Sequence, residues 1–335
     1  MQTAYTAAHE QAAWLDRSRR GRIVVSGADR RSYLQGLLTN DIAALTAGTG
    51  CYAAYLTAQG RMIADVWVYE LGDVILLAMH GDVNDTVLAR LDQFIFGEDV
   101  QLGDVTATFA AIAVVGPQSA AVVSRALGGV AADALSALPE HGNVRASFAD
   151  APAIVTQITD VGEPGFEIYI GAEQRDALVR AIGAAGAAAL DAEAAETIRI
   201  EAGVPLFHRD MDEETIPLEA GLESRAINFT KGCYVGQEVI IRVLHRGHGR
   251  VARRLVRLDV EGADVPQPSA AIEAGDKIVG KVTSAVFSPR LGHPIALAYV
   301  QRDVAEPDTI VRISSSSAGG NLSAPISARV TQRIS

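Results

Sequence analysis

Cysteine is nearly absent from this chain: there are two in 335 residues, Cys51 and Cys233. Two cysteines so far apart make no disulfide framework, and a reducing, cytosolic setting is the expectation. No CxxC pair, no HExxH and no Cys/His cluster occurs, so neither a self-contained zinc site nor a four-cysteine iron–sulfur site is expected, and no metal is assigned. Long apolar runs are also missing. The composition is 49% hydrophobic and 21% charged, an ordinary globular balance, yet no stretch approaches the ~20 apolar residues of a spanning helix. The N-terminus, MQTAYTAAHEQAAWLDRS, has no basic segment followed by an apolar stretch and so does not read as a secretory signal. Positive charge is short as well. Lys and Arg number 29 against 40 Asp and Glu, a net charge of −11. That argues against nucleic-acid binding by the surface as a whole.

One segment opposes the acidic trend. Arg242, Arg246, Arg250, Arg253, Arg254 and Arg257, with His245 and His248, crowd together in the last third. A solvated face is the ordinary reading of such a run; an anion-binding rim is the functional one. Just before it lies the most distinctive stretch, Lys231-Gly232-Cys233-Tyr234-Val235-Gly236-Gln237-Glu238. The glycines imply a turn where backbone can approach a ligand closely. In an extended stretch Lys231 and Cys233 would project to one side. The following Val239-Ile240-Ile241 reads as a first helical turn or a strand entry. A cysteine near a helix N-terminus and a lysine is expected to be reactive; the alternative is a small apolar cysteine packed in a glycine-rich bend.

The first 240 residues read as a duplication. Arg22–Gly27 is an apolar run ending in glycine, followed by an amphipathic helix through Tyr33, Leu34, Leu37 and Leu38. Residues 62–69 and 74–79 read as strands joined at Gly72-Asp73, and residues 82–94 as a helix. The pattern recurs with a strand over 111–116, a helix opened by Pro117, strands over 154–158 and 166–170, and a helix over 172–182. From Val251 onward, short apolar stretches separated by Gly, Pro, Ser and Asp predict a small antiparallel β-barrel or sandwich. Ser314–Asn321 (SSSSAGGN) reads as a flexible hairpin tip. The expected class is α+β: a first unit over 1–110, a second over 111–248 carrying the cysteine motif, and a barrel over 249–335.

KGCYVGQE resembles the signature of the YgfZ-type folate-binding proteins, relatives of the glycine cleavage T-protein. Residues 33–42 (YLQGLLTNDI) are similar to the family's LQGxxTND stretch, 59–65 (QGRMIAD) to its QGRxxxD segment, 162–167 (GEPGFE) to the T-protein GExGxE stretch, and 198–205 (IRIEAGVP) to its LRLEAGxP helix end. Gly116-Pro117, Gly280–Ser284 and Ser288-Pro289 also match, so the resemblance runs along nearly all of the chain. It implies two ferredoxin-like units plus a C-terminal barrel around a channel that holds tetrahydrofolate. It also implies Glu163 at the pterin and Arg199 near the folate, with Asp65 as the one aspartate kept where the T-protein has an adjacent pair. The catalytic member of that pair is taken to fall on Ala64, and Met79-His80 stands where the T-protein has an asparagine, so glycine-cleavage aminomethyl transfer is not expected. Instead the resemblance implies a folate-binding accessory factor for assembly or repair of iron–sulfur clusters in client enzymes, tRNA-modifying ones included. Cys233 would be its essential group, with Lys231, Gly232, Tyr234, Gly236, Gln237 and Glu238 supporting it. The expected partners are a reduced folate and iron–sulfur proteins. A tetrahydrofolate-dependent one-carbon transferase or demethylase is the alternative, and a binding module in which Cys233 merely packs is the third.

Overall fold

Five short runs of the N-terminal third pair into one sheet in the order Gly50–Leu56, Met62–Glu70, Ile75–Met79, Gly21–Ser26, Gln101–Asp104. This is a computed structural model, and it describes residues 2–245, 250–316 and 322–334. The predicted hairpin forms at Gly72, whose φ of 99° lies in the left-handed region that favours glycine. Trp67 faces Ala78 and Tyr69 faces Leu76, while Arg22 and Val24 face Ala78 and Leu76 from the other side. Because side chains alternate along a strand, Asp65, Trp67, Tyr69, Leu76, Val24 and Arg22 share one face. Ala64, Val66 and Val68 are buried on the opposite face.

A second, six-stranded sheet follows, in the order Ala188–Ala189, Ala13–Asp16, Phe109–Val115, Gly165–Gly171, Ala151–Ile158, Asn143–Phe148. Ala13–Asp16 therefore leaves the N-terminal third to lie antiparallel to Phe109–Val115. Ile112, Val114, Phe166, Ile168 and Ile170 form a core with Val122 and Val123 of the helix Ser119–Ala126 and with Leu178 and Ile182 of the helix Arg175–Ala184. The alternate residues Glu167 and Tyr169, paired with Ala113 and Ala111, point to the face away from that core.

The C-terminal strands Arg253–Val260, Ala271–Ala274, Lys277–Ser288, His293–Gln301, Ile310–Ser316 and Leu322–Arg333 close into an all-antiparallel barrel. Its interior is filled by Val256, Leu258, Ile272, Val282, Ala298, Val300, Ile313 and Val330. Closure removes the sheet edges that an open six-stranded sheet would otherwise expose. Of the hairpin tip predicted over 314–321, residues 317–321 lie outside the described residues; the strands on either side of it pair as expected.

The α+β class with a terminal barrel is thus observed. By packing, the chain divides into two units. One comprises Met1–Leu56, Ile63–Ala195 and Ala226–Val235; the other comprises Thr57–Met62, Glu196–Arg225 and Gly236–Ser335. The first holds both sheets, and the second holds the barrel. Among the described residues no helix is long and apolar enough to cross a membrane.

Candidate functional site

In the first unit one group of buried polar residues lies on the sheet faces that carry Asp65 and Glu167. Asp65 is 2% exposed. The Tyr52 hydroxyl donates to its Oδ2 at 2.9 Å, whereas Oδ1 accepts nothing from another residue. Burial, reinforced by the nearby Asp160, pushes this carboxyl up to about 6 against the Tyr52 bond. Tyr52 lies 5.0 Å from Trp67, and the Arg20 guanidinium sits 4.0 Å over the Trp67 ring. Arg20 also pairs with Asp160 at 2.9 Å, and Arg17 pairs with the same carboxylate. Glu167 accepts the Tyr169 hydroxyl at 2.6 Å on Oε2; its Oε1 lies 3.2 Å from Arg17 Nε yet accepts no hydrogen bond. Burial and then Asp160 raise Glu167, opposed by Arg17. Tyr69 and Tyr169 approach to 6.4 Å between rings.

The result is a cluster of aromatic walls, two arginines and three carboxyls, of which Asp65 and Glu167 each have one unsatisfied oxygen. Buried acceptors without donors are costly and are expected to be met by a ligand that brings N–H groups. Of this cluster, sequence reasoning found Asp65 and missed Glu167, Tyr52, Trp67, Arg17, Arg20, Asp160 and Tyr169. The available signal was the spacing Asp65, Trp67, Tyr69 and Glu167, Tyr169, which places polar and aromatic groups at every second position of otherwise apolar strands. Ala64 is on the other face of its strand, so alanine there takes no carboxylate away from the cluster. Met79-His80, in place of the T-protein asparagine, is the other departure that bears on one-carbon chemistry.

The cysteine motif is built differently from the expectation. Lys231 is 9% exposed, and its ammonium donates to the carbonyls of Gln35, Leu38 and Asn40 at 2.7, 2.6 and 2.8 Å. The Tyr234 ring lies 5.1 Å from the same nitrogen. Lys231 is therefore held inward by the LQGLLTN segment, while the Cys233 side chain is exposed; the two do not project together. The thiol in the field of Lys231 is Cys51, half-buried, and burial pushes it up to about 12. Gly232 has open space where a Cβ would stand, whereas Gly236 has φ 85°, the one glycine of the motif that its backbone requires. Gln237 and Glu238 open the helix Gln237–His245, which settles the helix-or-strand ambiguity.

Glu163 is partly buried and bonds His9 at 2.7 Å. Arg199, in the second unit, is 5% exposed and has no donor to offer a folate. Its guanidinium is held by Glu196, Asp210, Ser284 and the Val204 carbonyl at 2.5–3.0 Å. The arginine-rich segment is likewise mostly internal to that unit. Arg253 pairs with Glu219 at 3.0 Å and stacks at 4.4 Å over Tyr299, Arg254 lies 3.8 Å from Glu223, and Arg257 donates to the Glu201 carbonyl at 3.0 Å. Arg242 and Arg250 are exposed. Arg246 and His248, and the side chain of His245, lie outside the described residues.

Two sheets that carry a carboxyl–aromatic cluster, followed by a closed barrel, define an α+β protein. Residues 1–231 match the GCVT N-terminal domain, and residues 253–332 match the glycine cleavage T-protein C-terminal barrel domain. The chain belongs to the glycine cleavage T-protein family. It is 32% identical over 296 residues to the aminomethyltransferase of Rubrobacter xylanophilus, covering 88% of this chain and 78% of the relative. It is 31% identical over 311 residues to that of Streptomyces coelicolor, covering 91% and 82%. In structure it is similar to the glycine cleavage system aminomethyltransferase T of Bartonella henselae, with a TM-score of 0.87 at 23% identity over 98% of this chain and 88% of that one. The fold expected from the sequence is the fold of that family.

Proposed function

We propose that this protein binds a reduced folate in the first unit and acts through Cys233 in the assembly or repair of iron–sulfur clusters in client enzymes. The observation that carries it is the exposed thiol of Cys233, displayed on a loop whose lysine is locked inward by three carbonyls. A thiol so presented can meet a cluster, a persulfide or a client thiol. The unsatisfied oxygens of Asp65 and Glu167 support the folate half. A 2-amino-pyrimidinone edge offers paired N–H donors to a carboxylate, and the surrounding rings suit a flat pterin. Tetrahydrofolate would carry the one-carbon or redox-sensitive pterin chemistry; Asp65, Glu167, Tyr52 and Trp67 would orient it and exclude water.

Two measurements separate the halves. Titration calorimetry with tetrahydrofolate is expected to show saturable binding that Glu167→Gln weakens about tenfold, the loss of one charge-assisted bond; no binding of any reduced folate would remove the cofactor. Complementation of a strain lacking its own YgfZ-type protein is expected to succeed with the wild type and fail with Cys233→Ser. Full rescue by the serine variant would end the thiol mechanism.

A second reading, tetrahydrofolate-dependent one-carbon transfer, is favoured by Asp65. A carboxyl held at about 6 can take or return a proton near neutrality, and the relatives above are aminomethyltransferases. Methylene-tetrahydrofolate formation from an aminomethylated carrier protein, lost in Asp65→Asn, would establish it.

A further inference from the structure

On the same sheet face as Asp65, toward Tyr69 and Leu76, the first unit holds a cavity of about 130 Å³ that opens to solvent on one side. Val24 and Leu76 of one sheet and Ile154 of the other form its apolar walls, with Phe109 beside them. Tyr169 and Arg22 also line it. Arg22 is fully buried. Its Nη2 donates to the carbonyls of Ser18, Thr106 and Phe109 at 3.0, 2.5 and 2.6 Å, but Nε and Nη1 have no partner among the described residues. No ion pair to Arg22 is formed among them either. Three of its N–H groups are therefore unbonded, and Glu167, Asp104 and Asp16 act on it only from beyond ion-pair distance, an arrangement that is destabilising unless something compensates it. At the solvent side the rim is polar: Arg145, itself lining the cavity, donates to the Leu71 carbonyl at 3.1 Å and to Asp73. Both members of that exposed pair can swing aside at little cost.

We propose that this cavity is a binding site for a short monocarboxylate of about five carbons in all, its carboxylate meeting Arg22 and its alkyl group the Val24, Leu76 and Ile154 walls. The charge answers the unpaired guanidinium, and a carboxylate accepts from its free N–H groups. The walls favour an alkyl body over a sugar or phosphate. Size sets the length, since a dry cavity of about 150 Å³ holds one benzene. The site adjoins the Asp65 cluster through Tyr169, but it does not depend on the folate reading.

The test uses the full chain and isovalerate, with isovaleramide as the uncharged match. Calorimetry is expected to show saturable binding of isovalerate at about millimolar affinity, as so few atoms allow, and at least roughly tenfold weaker binding of the amide. In ¹⁵N–¹H spectra the Arg22 Nε–H signal is expected to move during the isovalerate titration. Filling the cavity with Ile154→Phe, or its outer end with Val74→Phe, is expected to abolish the effect while tetrahydrofolate titration stays as in the wild type. The proposal is overturned by an absence of saturable binding, by equal binding of acid and amide, or by undiminished binding in both filled variants.

Discussion

At Asp65 one buried carboxyl links stability to pH. Its folded value of about 6 stands above the ordinary 3.8, so the folded state holds the proton more tightly than the unfolded one. The stabilisation is fully present below about pH 4 and is lost as pH rises through 6. Asp65→Asn is therefore expected to gain on the wild type across that window, by on the order of 2–3 kcal/mol from a shift of about two units; urea melts at pH 4, 6 and 8 measure it. Parallel curves would show that Asp65 is compensated. The two thiols differ just as sharply. Cys233 is exposed, whereas Cys51 is half-buried and pushed up to about 12. Iodoacetamide at neutral pH is expected to modify Cys233 first and Cys51 only on unfolding. Similar rates for both in the folded protein would contradict the burial of Cys51. The glycines of the motif also separate. Gly236→Ala forces a side chain into φ 85° and is expected to cost about 1 kcal/mol, while Gly232→Ala meets open space and is expected to be neutral.

At the scale of elements, the bend that displays Cys233 is held by one side chain. Lys231 serves carbonyls at the end of the helix Arg30–Gln35 and in the turn after it, where orphan acceptors collect. The Asn228 carboxamide oxygen accepts the Thr230 and Lys231 backbone N–H groups at 2.9 Å, and Val235 N–H donates to the Gly36 carbonyl at 3.2 Å. Lys231→Met keeps the stem and removes the donors. A loss of about 2–4 kcal/mol is expected, with faster amide hydrogen exchange over residues 35–41 and 228–235 as its local signature. Uniform exchange across the chain would argue against a local clasp. Burial pulls the Lys231 ammonium down to about 8. The unfolded chain therefore binds more protons between pH 8 and 10.5, and this group's penalty eases as pH rises through that range.

For the molecule as a whole, the ion networks divide the work between units. In the second unit Arg199 ties Glu196, Asp210 and Ser284 into one buried group, and Thr283 adds its hydroxyl to Asp210. Removing one member strands buried charge, so Arg199→Met is expected to cost about 3–5 kcal/mol in denaturant melts. Tetrahydrofolate affinity is expected to be unchanged in the molecules that remain folded. A stable variant with lost folate binding would instead return Arg199 to the ligand.

Much of the architecture was legible from residues alone. Short apolar runs marked the strands around Gly72, over 111–116 and in the barrel; Gly and Pro marked the turns; and the order of weak motifs pointed to the family. These are local properties, carried by a few neighbouring residues each. The assignment of Ala13–Asp16 to the second sheet was not legible, since four residues of AWLD pair as readily with either sheet until both exist. Nor was the partner of Lys231, because spacing says that two side chains share a side of an extended segment but not that three carbonyls some 190 residues earlier will capture one of them. Glu163 and Arg199 were named through the family resemblance, and packing gave them His9 and Asp210 as partners. Glu167 and Arg22 looked like ordinary members of apolar strands. Only tertiary structure decided that each would be buried with an unsatisfied polar atom, because desolvation and hydrogen-bond satisfaction depend on everything packed around a group, and a sequence lists only its neighbours along the chain.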